Sequence, residues 1–281
     1  MNHKSISDGP IRNRALTALQ DAFSRLHPAV VLDGKGYAAD FRDVLLPRVS
    51  ADDFEADLGA GSGNELQTKF RAVHSSSALA VNAFAPFRQR IGELALPDLS
   101  GFQSLAFEQK CPTGLRRGTP PNLDVLLSRV GGVVGIESKL TEYLTTHHPR
   151  FSSAYEEEIR DARREQGYFR EMLRLLDEPD SYRLLDAAQL IKHAFGLAAT
   201  FGEGPVTLLY LFWEPANPSA SPVFADHRRE IAAFAERVAG SMPIFKAMSY
   251  PELWSVWSDA GQQDWLARHV EELRARYEVI L

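Results

Sequence analysis

The strongest constraint on the fold comes from two apolar segments joined by a pair of glycines, in the stretch NLDVLLSRVGGVVGIESKL. The segments, residues 122–130 and 133–140, are short, apolar and bounded by turn residues, as strands are. Gly131 and Gly132 tolerate the positive φ angles that a two-residue hairpin turn requires. The stretch therefore predicts a β-hairpin in which Val130 faces Val133.

This hairpin carries three charged side chains at its open end. Successive side chains of a strand point to opposite faces, so Glu137 and Lys139 share one face. The predicted turn places Asp124 opposite Lys139 and Leu126 opposite Glu137, with Asp124 diagonal to Glu137 at roughly 7–8 Å between backbone positions. Two explanations stay open. One is a salt bridge between Asp124 and Lys139 with Glu137 in solvent, and the other is a site for a hard divalent cation.

The rest of the chain supplies helices and two further strands. Apolar spacing predicts helices over residues 11–26, 66–87, 155–176, 181–201 and 262–277. Residues 104–110 predict a strand before the hairpin, and residues 206–213 are apolar on both faces, which predicts a central strand. No internal repeat or linker divides the sequence, so we expect one α/β domain over residues 1–281.

Composition limits the functional classes. The apolar content of 44% in 281 residues is enough for a sizeable core. A net charge of -6 argues against binding nucleic acid through overall charge, so such binding would need a locally basic face. The single cysteine, Cys111, excludes a disulfide framework and a thiolate metal site. The N-terminus lacks an apolar signal core and no segment approaches a membrane span, which predicts a cytoplasmic protein with no membrane partner.

With its surroundings, the hairpin resembles the PD-(D/E)xK signature of restriction-endonuclease-like nucleases. The segments NLD (122–124) and GIESK (135–139) are similar to its two halves, and Asp124 and Glu137 are separated as is usual in that superfamily. The flanking segments HSSSALAVNAFAPF and AQLIKHAFGL are similar to a bacterial subgroup of it. The resemblance implies a restriction-endonuclease-like core, a mixed central sheet flanked by helices, at residues 64–217, and leaves both termini unexplained. The pattern of apolar residues predicts helical additions at 10–27 and 222–278.

The resemblance also implies roles for the charged residues of the hairpin. Asp124 and Glu137 would be metal ligands, with the backbone carbonyl of Ser138 as a third, and Lys139 would be the catalytic lysine. The implied cofactor is Mg²⁺, for which Mn²⁺ substitutes. One departure is that Asn-Leu-Asp stands in place of Pro-Asp, with two prolines just upstream.

Two residues outside the hairpin match other elements that recur in such sites. A glutamate on the first core helix often joins the metal site, and Glu65 occupies that place. A glutamine on the helix after the third strand also recurs, and Gln189 matches it.

The implied function is divalent-metal-dependent hydrolysis of nucleic acid, with a DNA endonuclease as the leading expectation. Asp124 and Glu137 would bind Mg²⁺, and Lys139 would position the attacking water. Cutting both strands would need two sites acting together, which a homodimer would supply. The alternative is a catalytically silent fold of the same kind that acts as a binding or scaffolding module. A third hypothesis, an enzyme on a small phosphorylated substrate, rests on the glycine-rich run at residues 59–63.

Other polar and aromatic residues admit both a functional and a structural role. Glu108 could reach the metal or lie in solvent at a strand edge, and Glu142 is expected to cap a turn. Lys192 and His193 are either boundary residues or phosphate contacts. The remaining candidates are two loop arginines that could contact phosphate, two histidines expected in solvent and two tryptophans expected in the core: Arg116, Arg117, His147, His148, Trp254 and Trp257.

Overall fold

A computed structural model of the protein describes residues 9–60, 64–115, 120–155, 166–202, 204–259 and 264–281. Within them, five strands form one mixed sheet in the order β1-β2-β3-β4-β5. The strands are β1 (Phe102–Lys110), β2 (Asn122–Arg129), β3 (Gly132–Lys139), β4 (Val206–Phe212) and β5 (Ile244–Ser249). β1, β2 and β3 pair antiparallel, whereas β3, β4 and β5 run parallel to one another.

Helices flank this sheet on both faces. They are α1 (Gly9–Leu26), α2 (Glu55–Ala60), α3 (Ser76–Phe84), α4 (Gly167–Asp177), α5 (Ala187–Phe201), α6 (Pro222–Arg237), α7 (Tyr250–Asp259) and α8 (Asp264–Tyr277). Short 3-10 segments lie between some of them, such as Lys69–Arg71 and Ala85–Glu93. This architecture confirms the predicted α/β class with a mixed central sheet, flanking helices and additional helices at both ends.

The sheet separates two apolar cores. On one face, Val125 and Val134 pack with residues of α1, α3, α7 and α8. On the other face, Leu126 and Leu208 pack with residues of α4, α5 and α6. β4 is buried along its whole length, because β3 and β5 pair with its two edges and both faces are covered. The prediction of a central strand here is confirmed.

The hairpin forms, but its register differs from the predicted one by two residues. Arg129 pairs with Gly132 and Val125 pairs with Ile136, so Val130 and Gly131 form the turn. Gly131 has a φ of 73°, whereas Gly132 is the first residue of β3 and has no positive φ. The predicted pairing of Asp124 with Lys139 is therefore wrong. A shift of two residues leaves the paired side chains from Val125 to Arg129 on their predicted faces, because the period of a strand is two. Leu123, however, packs in the same core as Leu126 and not with Val125.

The segment after β4 is not purely helical. Residues 222–278, predicted as a helical addition, contain β5, which pairs with β4 and forms an edge of the sheet. Helix α7 follows β5 directly, and Ser249 and Glu252 form a reciprocal cap at its start, at 2.6 and 3.3 Å between backbone nitrogens and side-chain oxygens. The sheet thus extends beyond the predicted core boundary at residue 217.

Two predicted helices are shorter than expected. The continuous helix over residues 66–87 is replaced by turns up to Ser75, whose hydroxyl accepts the Ala78 N–H and starts α3, and by a 3-10 segment from Ala85 onward. The helix predicted from residue 181 begins at Ala187. The Glu230 carboxylate accepts the backbone N–H groups of residues 183–185, which holds that segment out of the helix.

Two further predictions were tested in part. In the part of the chain that the structure describes, no helix is long and apolar enough to span a membrane. Residues 156–165 of the predicted helix over 155–176 lie outside the described residues, and α4 accounts for its second half.

Candidate active site

The open end of the β2–β3 hairpin brings two carboxylates together. The two strands pair as far as Val125 and Ile136. One further residue in the same register places Asp124 opposite Glu137. Asp124 Oδ2 accepts the Ser138 N–H at 2.6 Å, so a side chain takes the place of a ladder bond at this point. Asp124 therefore lies directly opposite Glu137, and not diagonal to it as predicted.

Helix α5 covers the face of β3 that carries the charges. Gly135 allows this close approach, since a Cβ atom there would lie 2.9 Å from the Leu197 side chain on α5. Glu137, which is 2% exposed, and Lys139 follow Gly135 on the same face of the strand. Both charges are thus held under a helix instead of in water.

Glu137 is held by two basic side chains. Lys139 Nζ lies 2.5 Å from Glu137 Oε1, and His193 Nε2 lies 2.8 Å from Glu137 Oε2. Lys139 Nζ also donates to Gln189 Oε1 at 2.9 Å. Gln189 and His193 lie one helical turn apart on α5, so one helix contacts both ends of the Glu137–Lys139 pair.

The charges of this pair are mutually stabilised. Burial alone would raise the pKa of Glu137, but Lys139 and His193 outweigh it and lower that pKa to about 2. Burial opposes the charge of Lys139, yet Glu137, Glu142 and Asp124 together raise its pKa above the usual value. Glu137 is therefore ionised and Lys139 charged at neutral pH.

Asp124 and Glu108 have the opposite behaviour. Burial raises the pKa of Asp124 well above its usual value, and the Glu137 and Glu108 carboxylates add to the rise. Burial, followed by repulsion from Glu65, raises the pKa of Glu108 to about 7, although Asn122 Nδ2 donates to it at 3.2 Å. These carboxyl groups are crowded by other carboxyl groups, and the charge of Lys139, which Glu137 also contacts, offsets the rise in their pKa values only in part.

Glu108 also has an unusual backbone conformation. Its φ of 49° lies in the left-handed region, which is rare for residues other than glycine and often marks functional sites. The register of β1 with β2 runs from Phe107–Val125 to Gln109–Leu123 on either side of it. Glu108 therefore lies beside Asp124 in the sheet, half-buried on the edge strand β1.

Glu65 joins this group from outside the predicted helix. It lies in the turn that precedes α3, and Ser77 Oγ donates to Glu65 Oε1 at 2.5 Å. The prediction that Glu65 lies on the first core helix is wrong, because Ser75 caps the helix ten residues later. Its charge nevertheless contributes to the raised pKa of Glu108.

The donor set suits a hard cation, although it is not a finished site. Asp124 and Glu137 lie with Lys139 at the end of the hairpin, the charge of Glu108 acts on Asp124, and that of Glu65 acts on Glu108. Oxygen donors are those that Mg²⁺ and Mn²⁺ prefer. Among the described residues, no three His, Cys, Asp or Glu side chains are already arranged to hold a metal ion. The mutual repulsion of the carboxyl groups is what a divalent cation would relieve.

The other candidates near the hairpin have structural contacts. Glu142 Oε2 accepts the Leu140 N–H at 2.8 Å and caps a turn, as predicted. Lys192 Nζ lies 5.4 Å from the centre of the Phe151 ring. Trp254 and Trp257 are buried in the core, as expected, which prevents them from stacking on bases.

The loop candidates are only partly visible. The exposed side-chain fraction is 67% for His148 and 25% for His147, whose Nε2 lies 3.2 Å from the Glu142 carbonyl oxygen. The prediction of solvated histidines therefore holds better for His148. Arg116 and Arg117 lie outside the described residues, as do residues 61–63 of the glycine-rich run.

Sequence reasoning left the role of His193 open and did not single out its contact with Glu137. The i, i+4 spacing from Gln189 was the available signal, but it does not reveal which side of α5 meets β3. For Glu108, the sequence predicted its position in a strand but gave no sign of its positive φ angle.

One comparison with known proteins identifies the family. A family model described as "Restriction Endonuclease associating with ARP" matches residues 12–278. The chain belongs to this family. Comparison with curated proteins gave no match. Comparison with solved structures also gave none.

Membership of this restriction-endonuclease family relates the chain to nucleases and indicates a nuclease-like function. The match covers every strand of the sheet and the residues of the candidate site. It also includes β5 and α7, so the C-terminal segment belongs to the family's shared region and is more than a variable addition.

Proposed function

We propose that this restriction-endonuclease relative is a divalent-metal-dependent phosphodiesterase of the PD-(D/E)xK type that hydrolyses nucleic acid, with DNA as the preferred substrate. The observation that carries the proposal is the group formed by Asp124, Glu137 and Lys139 at the end of the hairpin, in which Lys139 contacts Glu137 and burial together with the neighbouring carboxylates raises the pKa of Asp124. Core packing alone does not explain this group of charges, because buried charges without a partner lower the stability of the folded protein.

Asp124, Glu137 and the backbone carbonyl of Ser138 would hold the ion, and Glu65 and Glu108 would lie around it. When bound, Mg²⁺ or Mn²⁺ would polarise a phosphoryl oxygen and lower the pKa of a coordinated water. The Ser138 N–H already fixes one Asp124 oxygen, at 2.6 Å. Ser138 is in turn held by Tyr250, whose hydroxyl lies 2.7 Å from Ser138 Oγ. These contacts orient Asp124 through β3 and α7.

Lys139 would supply the positive charge next to the reacting phosphate. Its Nζ is held between Glu137 Oε1 and Gln189 Oε1, which leaves one N–H to orient the attacking water. A fixed cation there would also stabilise the negative charge that develops on the phosphate. In this proposal Gln189 acts by holding Lys139, and it needs no direct contact with substrate.

The direct test uses purified protein with supercoiled plasmid, single-stranded DNA and RNA, in Mg²⁺, Mn²⁺ or EDTA. We expect cleavage that requires metal and stops in EDTA. Lys139→Met keeps the length of the side chain but removes its charge, and should lower the cleavage rate by about 10²- to 10³-fold. Plasmid nicking followed by linearisation would also report whether two sites act together, as a homodimer would allow.

Lys246→Met is the matched control. Lys246 lies on β5, is 41% exposed and has Asp98 as an ion-pair partner at 3.8 Å, so its loss should leave cleavage unchanged. Thermal unfolding of both variants would show that they are folded. Cleavage that persists in EDTA, or that Lys139→Met leaves at the wild-type rate, contradicts the proposed chemistry.

A second candidate function is a silent binding or scaffolding module. It is favoured by the absence, within the described residues, of a ready-made metal ligand set, and by the net charge of -6. The family description names an association with ARP, which would suit a protein that acts within a complex. Titration calorimetry distinguishes the two functions, because a silent module should show no uptake of Mg²⁺ or Mn²⁺ that depends on Asp124.

A further inference from the structure

Helix α5 contacts the candidate metal ligand Glu137 directly through one side chain, His193. Its Nε2 lies 2.8 Å from Glu137 Oε2, and both side chains are almost fully buried, at 1% and 2% exposure. The other oxygen, Oε1, is in contact with Lys139 Nζ at 2.5 Å. The two oxygens of Glu137 are thus held by different side chains, one from its own strand and one from the helix above it.

His193 differs from the other buried histidines in what it binds. His269 Nε2 contacts the Ala83 carbonyl oxygen at 3.1 Å, and His227 Nε2 contacts the Tyr210 hydroxyl at 3.0 Å. Among the described residues, the close polar neighbour of His193 is the Glu137 carboxylate, at 2.8 Å from Nε2, and Nδ1 has no hydrogen-bond partner. Buried polar side chains usually have hydrogen-bond partners for their polar atoms, so a buried histidine with so few partners requires an explanation.

We propose that His193 is a positioning residue that fixes the orientation of Glu137 for metal binding, an inference that rests on the proposed function. An ionised carboxylate only accepts hydrogens, so the nitrogen that faces it must be the one that carries a proton. With Lys139 on one oxygen and His193 on the other, the carboxylate plane cannot rotate. The lone pairs of Glu137 that these two contacts do not use would be left for the metal ion.

A purely structural role predicts something different. If His193 only filled space under α5, any side chain of similar volume would serve, and its effect would appear in stability alone. If it orients Glu137, a donor at the position of Nε2 is required, and its loss weakens metal binding in a protein that is still folded. Partners that orient metal ligands typically contribute 10- to 100-fold to affinity.

Three substitutions in the full-length protein separate these roles. His193→Gln places an amide N–H near the position of Nε2, whereas His193→Asn places it near Nδ1 and cannot reach Glu137. His193→Leu keeps the volume without a donor. The measurement is the Mn²⁺ dissociation constant by calorimetry in the absence of substrate, together with the Mn²⁺ concentration that gives half-maximal cleavage. His269→Leu is the matched control, since His269 is equally buried and bonds only a backbone carbonyl among the described residues.

We expect Mn²⁺ affinity about 10- to 100-fold weaker for His193→Leu and His193→Asn, with His193→Gln close to wild type and His269→Leu unchanged. The Asn and Gln pair decides the question if the Leu variant does not fold. Wild-type affinity in His193→Asn, or equal losses in the Asn and Gln variants, would overturn the proposal. A wild-type protein that binds no Mn²⁺ would overturn the proposed function itself, and this inference with it.

Discussion

Two buried glutamates on the same side of the sheet, Glu137 and Glu171, show how differently a fold can treat a carboxylate. Glu171 on α4 is 3% exposed, and the Arg174 guanidinium bonds both of its oxygens, at 2.6 and 2.9 Å. The Tyr182 hydroxyl adds a third contact at 2.6 Å. Glu137 has Lys139 and His193 instead.

The two glutamates are equally buried, but they differ in the carboxyl groups that lie near them. At Glu171 the next carboxylate, Glu178, is exposed and shares the same arginine. At Glu137 the next carboxyl groups are Asp124 and Glu108, both crowded enough to have raised pKa values. A buried ion pair is therefore weak evidence of function, whereas carboxyl groups that raise one another's pKa values beside a buried ion pair are stronger evidence.

The largest effect that this comparison predicts is in the activity of Asp124→Asn. Loss of an oxygen ligand should lower metal-dependent cleavage by about 10³-fold or more, since the ion supplies several kcal/mol of transition-state stabilisation. The thermal midpoint of the metal-free protein should stay the same or rise, because burial and neighbouring carboxylates already disfavour the charge of Asp124. A large fall in stability would show that the carboxylate is structural, as at Glu171.

The corresponding substitution at Glu171 should lower stability and leave activity unchanged. Glu171→Gln removes the charge that neutralises Arg174, and we expect the free energy of unfolding to fall by about 3 kcal/mol. Cleavage per folded molecule should be unchanged, because Glu171 lies on α4 and contacts none of the candidate site residues among the described contacts. Denaturant titration gives the first quantity. A loss of activity at full folding would erase the distinction between the two regions.

The smallest predicted effect is a pH dependence that belongs to the carboxyl-rich site. The pKa of Glu108 is raised to about 7, so its stabilising protonated form is fully present below about pH 4.5 and is lost as the pH rises through about 7. With chelator present, the unfolding free energy of wild type minus that of Glu108→Gln should fall over this range. We expect a change on the order of 1–3 kcal/mol, reduced by partial exposure of the side chain.

Measuring the difference between the two proteins removes the contributions of groups that titrate in the opposite sense. Burial lowers the pKa of His227 to about 3 and that of His269 to about 4, so both make the fold less stable as the pH falls below about 6.5. A difference curve that is flat or that rises between pH 4.5 and 7 would mean that Glu108 is solvated.

The strands near the site were predictable from the sequence because their signal is local. The predicted segments for β1, β2, β3 and β4 agree with the observed bounds to within two residues, since apolar runs between turn residues define them. β5 was missed because IFKAMS is short, contains a lysine and is only partly buried, so it has neither alternation nor an apolar run. It becomes a strand through pairing with β4.

The parts of the site that depend on packing could not be predicted. Which glycine takes the positive φ decides the hairpin register, and Gly132 is drawn into β3 at a point where a Cβ would lie 2.8 Å from the Pro205 carbonyl oxygen. The contact between His193 and Glu137 depends on the rotation of α5 about its axis. Neither the hairpin register nor the rotation of α5 can be inferred from the spacing of residues within one segment. The shared face of Glu137 and Lys139 was predictable, because alternation alone decides it.

The turn of the hairpin also limits which insertions and deletions this family could tolerate. Adding or removing two residues at Val130 and Gly131 would lengthen or shorten the hairpin and still leave Asp124 and Glu137 on the same side. A slip of one residue in the pairing would turn one carboxylate toward the opposite core and bury a charge among apolar side chains. Length variation among relatives at this turn should therefore enlarge or reduce the loop without moving that pairing, which an alignment of the hairpin would reveal.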